Sequence, residues 1–192
     1  MPPGGAGGVA NAYPQCNPTD DPGTAKQLQF IVANDTAAEV VAETYGVPTS
    51  WVLGWGGLES GYGTNPLAAN NSNYFSESVP AGGVTGGWAG AIPCGAGTTG
   101  AATATLAGWA CFSDFQDSAN AAFAGIYGNT IETMLAQNPN VSASAVFQAV
   151  ALAGFDRADG QAGTYGPTVS KVVGNMAADM LCLQSYGYIS IW

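Results

Sequence analysis

A glutamate beside an apolar helix face is the feature of this sequence that is best suited to chemistry. Glu59 follows Trp55 by four residues, so a helix places its carboxyl one turn beyond an indole ring. Apolar surroundings disfavour the charged form of a carboxyl, and such a group can act as a general acid near neutral pH. We therefore predict that Glu59 is a general acid, although a lone glutamate near a helix end is also typical of a solvated surface.

The helix that carries Glu59 is predicted from local signals at both of its ends. Pro48 suits the first helical position because its missing N–H is not needed there. Gly61 follows Glu59 by two residues and is a typical helix terminator. One apolar stripe with the spacing i, i+4 and i+7 lies between these ends and consists of Trp51, Trp55 and Leu58.

The rest of the chain predicts a mainly α, single domain at residues 24–192, after an extended arm at residues 1–23 that is rich in Pro, Gly and Asn. Periodicity and capping signals predict about six helices. They lie near residues 24–32, 37–45, 48–59, 118–135, 142–152 and 167–180. Residues 64–110 are predicted to form a long irregular insert or a small β-hairpin, and residues 160–166 a loop.

The charge balance of the chain restricts its partners. Acidic residues outnumber basic ones 13 to 3, and the formal net charge is −10. Nucleic-acid binding needs several Lys or Arg side chains on phosphates, so we expect no nucleic-acid partner. The chain has no His, which excludes a His-based catalytic triad and a His metal ligand. Because its cysteines also lack a CxxC spacing, we expect neither a metal site nor a cofactor.

The four cysteines suggest two disulfides and a place of action outside the cytosol, because their number is even and the chain is weakly charged. We predict that Cys94–Cys111 closes the insert and that Cys16–Cys182 ties the N-terminal arm to the last helix. Four buried free thiols are the alternative, since free cysteines are commonly buried.

Neither a membrane span nor a secretory signal is expected. No apolar stretch approaches the roughly 20 residues that cross a bilayer. Met1–Gly5 lacks the charged and apolar regions of a Sec signal peptide. We therefore expect no membrane insertion, and the route to the periplasm stays open between a phage lysin, a chain whose signal has been removed and an effector injected by a secretion system.

Four short stretches occur in the same order as segments of one enzyme family. Glu59–Gly63 and Asn73–Phe75 are similar to its Glu-Ser-Gly-Trp-Gly and Asn-Leu-Phe-Gly segments. Phe112–Ser118 looks like its Phe-Asp-Ser-x-x-Glu-Ser helix start, and Gly163–Gly166 is similar to its late Tyr-Ala segment. The chain thus resembles glycoside hydrolase family 73, the bacterial N-acetylglucosaminidases of flagellar and autolysin type. This resemblance implies a lysozyme-like α-helical fold and cleavage of peptidoglycan glycan strands.

The resemblance also implies roles for individual residues. The general acid of the family corresponds to Glu59, and its cleft tyrosine corresponds to Tyr165. Tyr62 stands where the family usually has Trp and still offers a flat face for a sugar ring. The residues expected to bind substrate on this basis are Tyr62, Asn73 and Phe75. Independently of the resemblance, we expect the Trp88 ring in the insert to line the sugar cleft.

The second carboxylate is the point at which this sequence departs from the family. Many members carry one in the hairpin after the Asn-Leu-Phe segment, but residues 79–111 contain no Asp or Glu. Glu77 is the nearby candidate, and we expect it to turn toward the cleft in a secondary catalytic role. Two-carboxylate glycosidases place these groups about 5–5.5 Å apart to retain configuration, or about 6.5–9.5 Å apart to invert it. Without a second acid, the acetamido group of the substrate can attack the anomeric carbon instead. In that scheme we expect a catalytic role for Tyr165, as a hydrogen-bond partner of the transition state.

The expected function is that of a peptidoglycan N-acetylglucosaminidase that acts as an antibacterial effector in the bacterial periplasm. The disulfide-compatible cysteines and the compact single domain resemble those of type VI secretion glycosidase effectors. Such a toxin needs a periplasmic immunity protein in the producing cell, and the cleft is the place where that partner would block it. Two alternatives stay open. One is a muramidase or lytic transglycosylase of phage or autolysin type, and the other is a non-catalytic peptidoglycan-binding module on the same scaffold.

Overall fold

Helices account for most of the residues that the computed structural model describes, which are Cys16 and residues 22–78, 92–93 and 109–190. The mainly α fold class is therefore confirmed. No helix in these ranges is both long enough and apolar enough to cross a bilayer. The described helices are α1 (Pro22–Tyr45), α2 (Thr49–Ser60), α3 (Pro66–Asn71), α4 (Phe115–Phe123), α5 (Gly125–Gln137), α6 (Ala143–Leu152), α7 (Arg157–Ala162) and α8 (Tyr165–Ser185).

The described part of the insert contains one short pair of strands. β1 (Ile92–Pro93) pairs antiparallel with β2 (Ala110–Cys111). A single bridge also joins Ser78 to Trp109. Most of the predicted insert, 79–91 and 94–108, lies outside the described residues, and so does most of the predicted N-terminal arm.

Two helix boundaries differ from the predicted ones. α1 is one continuous helix of 24 residues where the sequence predicts two. Asn34 is accommodated inside it because its side-chain N–H bonds to the Phe30 carbonyl at 2.8 Å. Residues 24–45 contain no Gly or Pro that would end a helix. The capping box at Thr36 therefore does not begin a second helix. The helix predicted over 118–135 is instead divided at Ala124, whose backbone is extended (φ −90°, ψ 168°).

Two short helices, α3 and α7, occupy segments that are predicted to be irregular. Asn65 and Pro66 form a helix start rather than a turn, because Asn65 Oδ1 accepts the Ala68 N–H at 2.8 Å and Pro66 takes a first-turn position. Asp156 starts α7 in the same way by accepting the Asp159 N–H at 3.2 Å. Both caps follow from side chains that the sequence contains at the correct spacing.

α2 lies at the centre of the core and packs against both α1 and α8. Gly54 permits the close approach of α8, because a Cβ at that position would lie 2.6 Å from Val173 Cγ2. Trp55 is fully buried. Its ring centroid lies 5.0–5.3 Å from those of Phe75, Phe123, Phe147 and Phe155. The helix that carries Glu59 is therefore held in position by dense aromatic packing.

The predicted Cys16–Cys182 disulfide is confirmed, with the two Cα atoms 5.7 Å apart and 166 residues of sequence separation. It joins the N-terminal part of the chain to α8. A bridge that closes so long a loop stabilises the folded state by about 2–4 kcal/mol. Cys94 lies outside the described residues, so the Cys94–Cys111 pair stays a prediction.

Candidate active site

The C-terminal end of α2 determines where the Glu59 side chain lies. Gly61 ends the helix in the left-handed conformation (φ 57°), and its N–H bonds to the Gly57 and Leu58 carbonyls. Glu59 therefore lies in the last turn, four residues after Trp55, as the sequence predicts. At the other end the helix begins at Thr49, one residue later than expected.

Glu59 is joined to two buried aromatic residues by a hydrogen-bond chain. The Tyr165 hydroxyl donates to Glu59 Oε1 at 2.6 Å. The same hydroxyl accepts the Trp55 Nε1–H at 2.9 Å. Trp55 and Tyr165 are 0% and 4% exposed, whereas Glu59 is only partly buried. We call this arrangement the Glu59–Tyr165–Trp55 chain. It fixes the orientation of the carboxyl while leaving Glu59 in partial contact with solvent.

The surroundings of Glu59 favour its protonated form. Burial raises the pKa of this carboxyl above its ordinary value, and the negative charge of Asp156 raises it further. The hydrogen bond from Tyr165 acts in the opposite direction, as does the hydroxyl of Ser76, but burial is the largest of these effects. A carboxyl whose pKa is raised in this way has the property that a general acid needs.

Tyr165 remains a neutral phenol. Burial raises the pKa of its hydroxyl, and the nearby Glu59 carboxylate raises it further, because a second negative charge beside Glu59 is unfavourable. The hydroxyl therefore serves as a hydrogen-bond donor to Glu59 rather than as a base.

Asp156 belongs to the surroundings of Glu59, although the sequence analysis does not identify it. The preceding ring, Phe155, packs against Trp55 at 5.0 Å and against Tyr165 at 5.7 Å between centroids. This packing brings Asp156, the N-terminal cap residue of α7, to the Glu59–Tyr165–Trp55 chain. In the sequence, the spacing of Asp156 and Asp159 indicates a helix start. It does not indicate that Asp156 lies beside Glu59.

Glu77 is an interior residue. It is 3% exposed, and its Oε2 accepts the Ser118 hydroxyl of α4 at 3.2 Å. Its Oε1 has no hydrogen-bond partner in the described part of the chain. Burial raises the pKa of this carboxyl well above its ordinary value. The prediction that Glu77 turns toward the cleft does not hold in this structure, because the segment that carries it packs its side chain onto α4.

Asn73 and Phe75 lie in the interior and support the segment before the insert. Both are 0% exposed. Asn73 donates side-chain N–H bonds to the carbonyls of Glu77 and Ala110, at 2.8 and 2.9 Å. It thus links the segment before the insert to the strand after it. The Phe75 ring packs edge-on against Trp55. Neither side chain reaches the surface in this structure, which argues against the predicted direct contact of these two residues with substrate.

The other two predicted substrate-binding residues have different outcomes. Tyr62 is half-buried and lies edge-on to Phe30, with 6.3 Å between ring centroids. Trp88 lies outside the described residues.

No cluster of three potential metal ligands occurs in the described ranges. A cavity of about 340 Å³ between Tyr45 and Glu132 does not include Glu59 in its wall, so we do not assign the chemistry to it.

One solved structure is similar in fold. A chain of "Structure of a type VI secretion system effector-immunity complex from Pseudomonas protegens" matches with a TM-score of 0.59 and 22% sequence identity. The match covers 82% of this chain and 95% of that chain. No protein-family model matches the sequence, and no curated protein does. At this level of identity, the similarity demonstrates a shared fold.

Proposed function

We propose that this protein is a glycoside hydrolase of the N-acetylglucosaminidase type that cleaves peptidoglycan glycan strands, with Glu59 as the general acid. The observation that carries the proposal is the 2.6 Å hydrogen bond from Tyr165 to a partly buried Glu59 whose pKa is raised by burial. Proton donation to a glycosidic oxygen requires such a carboxyl. The similarity of segments to glycoside hydrolase family 73 supplies the substrate class.

The interior position of Glu77 favours the substrate-assisted form of this reaction. Glu59 donates its proton to the glycosidic oxygen as the bond from that oxygen to the anomeric carbon breaks. The acetamido oxygen of the same sugar forms a bond to the anomeric carbon. Water then attacks that carbon, the acetamido oxygen leaves, and the proton of the water returns to Glu59. Tyr165 holds the carboxyl throughout.

The proposed biological role is that of an antibacterial effector delivered to the periplasm by a type VI secretion system. The fold similarity to a chain of an effector-immunity complex supports this role. The formal charge of −10 would suit a complementary, basic immunity partner, because opposite charges accelerate association. A phage lysin or an autolysin with the same chemistry is the alternative.

Digestion of purified peptidoglycan followed by mass spectrometry tests the enzymatic proposal. We expect wild-type protein to release fragments with reducing N-acetylglucosamine ends. Glu59→Gln should lower the rate by about two to four orders of magnitude, which is the usual contribution of a general acid. Glu43→Gln, a change at an exposed position of α1, is the matched control and should digest normally.

The end groups also separate the alternatives. Reducing N-acetylmuramic acid ends would indicate a muramidase, and anhydro ends would indicate a lytic transglycosylase. A wild-type protein that binds peptidoglycan but releases no fragments would instead be a non-catalytic module. A Glu59→Gln protein that digests at the wild-type rate would contradict the role of Glu59.

A further inference from the structure

A second concave site lies on the surface next to the end of α2. This groove has a volume of about 220 Å³ and is lined by residues of α1, of the loop after α2, and of the segment before the insert. Its lining includes Lys26, Phe30, Asn34, Tyr62, Gly63 and Tyr74. We call it the Tyr62–Tyr74 groove. Of these residues only Tyr62 is an expected substrate-binding residue from the family resemblance; Lys26, Phe30, Asn34 and Tyr74 are not.

Aromatic rings form the body of the Tyr62–Tyr74 groove. Phe30 is buried and lies between the two half-buried tyrosines, with its ring centroid 6.3 Å from Tyr62 and 6.1 Å from Tyr74. No hydrogen bond joins either phenol oxygen to another described residue, and neither oxygen is a buried atom without a partner. Flat apolar faces with hydroxyl groups at their edges suit a pyranose ring, which has an apolar C–H face and a rim of hydroxyls.

Polar groups on α1 lie along one side of the groove. Lys26, Phe30 and Asn34 follow one another at intervals of four residues and so share one helix face. Asn34 uses its N–H in a bond to the Phe30 carbonyl, so its Oδ1 remains an acceptor for a ligand N–H. Lys26 is exposed and is one of only three cations in the chain. An acetamido N–H and a carboxylate are the ligand groups that match these two side chains.

The charges around the groove oppose a strongly anionic ligand. Burial raises the pKa of the Tyr62 phenol, and the charge of Asp179 raises it further. Burial and then Asp114 do the same for the Tyr74 phenol. Both phenols therefore stay protonated as donors, and the two aspartates disfavour additional negative charge. A mostly neutral sugar with one carboxylate beside Lys26 fits this distribution.

The loop that bears Tyr62 is attached directly to the residue proposed as the general acid. Asn65 donates its side-chain N–H to the Glu59 carbonyl at 2.8 Å, and the Gly63 N–H bonds to Ser60 Oγ at 2.8 Å. Tyr62 itself has a left-handed backbone (φ 58°), which is unfavourable for a residue with a side chain. The fold thus maintains Tyr62 at the groove against a local preference, and it does so three residues after Glu59.

From this geometry we infer that the Tyr62–Tyr74 groove binds one acetamido sugar of the glycan strand, with a carboxylate-bearing substituent directed at Lys26. The inference rests on the proposed function, because it names a part of the same substrate. Peptidoglycan alternates a sugar without such a substituent with one that carries a lactyl group or peptide stem. The groove would therefore recognise the second type.

Binding measurements in the Glu59→Gln background test this inference independently of hydrolysis. The two ligands are an N-acetylglucosamine tetramer and soluble N-acetylmuramyl dipeptide. Tyr74→Ala should weaken binding of both ligands by about tenfold, as loss of an aromatic contact does. Lys26→Ala should weaken binding of the muramyl dipeptide alone by about two- to fivefold, which is the range of an exposed ion pair. Lys171→Ala, an equal loss of charge on α8, is the control and should change neither affinity.

Several results would overturn the inference. Failure of the Glu59→Gln protein to bind either ligand would do so, and so would unchanged affinities in Tyr74→Ala. Tyr74 also packs against Phe115, with 5.1 Å between the ring centroids. If Tyr74→Ala unfolds, Tyr74→Phe replaces it as the test variant because it keeps the ring. Tyr74→Phe should lose only the part of the affinity that the hydroxyl provides. Equal weakening of both ligands by Lys26→Ala would refute the carboxylate assignment. If the ligands bind as expected but wild-type protein releases no fragments, the hydrolase proposal alone fails.

Discussion

Glu59 and Tyr165 are 106 positions apart in the sequence and share a 2.6 Å hydrogen bond in the folded protein. The bond crosses from the last turn of α2 to the first residue of α8, two helices that pack closely against each other. Its geometry depends on how closely α2 and α8 approach. The pKa of the Glu59 carboxyl and the packing of the core are therefore linked through this hydrogen bond.

Removal of the Tyr165 hydroxyl should impair both catalysis and stability. We expect Tyr165→Phe to lower kcat by about 10²-fold at most, because the Glu59 carboxyl loses the hydrogen bond that orients it. The buried Trp55 N–H also loses its acceptor, which should reduce the free energy of unfolding by about 1–3 kcal/mol.

The pH profile of Tyr165→Phe provides a second measurement. The Tyr165 hydrogen bond lowers the pKa of Glu59, so its removal should raise that pKa. The alkaline limb of the rate profile should move to higher pH, because the protonated acid persists longer. A limb that moves to lower pH would contradict the described hydrogen bond.

Neutralisation of Asp156 should shift the same limb in the opposite direction. The charge of Asp156 raises the pKa of Glu59, so Asp156→Asn should lower it, and activity should be lost at a lower pH than in the wild type. Asparagine keeps the side-chain oxygen that caps α7, so the helix should remain intact.

Asp159→Asn is the matched control for Asp156, since it removes the same charge from an exposed position of α7. It should leave the pH profile of kcat unchanged. Equal shifts in the two variants would indicate a general charge effect. A folded Asp156→Asn protein that is inactive at every pH would make Asp156 the second catalytic carboxylate.

Glu77 should make stability depend on pH without serving catalysis. Burial raises the pKa of the folded-state carboxyl above its ordinary value of 4.5, so the folded protein holds this proton more tightly than the unfolded chain. Its stabilising contribution is complete below that ordinary value and is lost as the pH rises through the raised pKa.

Thermal unfolding over a range of pH tests the role of Glu77. Glu77→Gln should flatten the decline of Tm with rising pH while leaving kcat near the wild-type value. Glu132→Gln, at an exposed position of α5, should retain the wild-type dependence of Tm on pH. If Glu77→Gln folds normally but has lost most of its kcat, the two-carboxylate scheme is restored.

Insertion of a methyl group between α2 and α8 should destabilise the protein. A Cβ at Gly54 would lie 2.6 Å from Val173 Cγ2 and 3.0 Å from its Cα, so Gly54→Ala should cost about 1–3 kcal/mol. Gly174→Ala is the control, because a Cβ there meets nothing within 4 Å. It should stabilise α8 by about 0.5–1 kcal/mol. Denaturant unfolding separates the two variants.

The local features of the site follow from the sequence. Helical periodicity and Gly61 predict that Glu59 lies in the last turn of α2, one turn beyond Trp55, because such signals act between residues that are close in the chain. The mainly α fold class follows from the same local signals, whereas the Cys16–Cys182 pair is predicted from the even number of cysteines and from their positions in the arm and the last helix. The start of α7 at Asp156 was missed, although a capping signal for it is present.

The contacts between distant segments could not be derived from spacing. The resemblance assigns Tyr165 to the cleft, but its bond to Glu59 forms because α2 and α8 pack against each other. The interior position of Glu77 and the core position of Phe75 depend on α4, whose side chains cover them. Packing decides which face of a segment is buried, and it involves residues that are far apart in the chain. For this reason the sequence predicts Glu59 as a candidate acid at the end of α2, whereas its hydrogen bond to Tyr165 and its proximity to Asp156 required the folded structure.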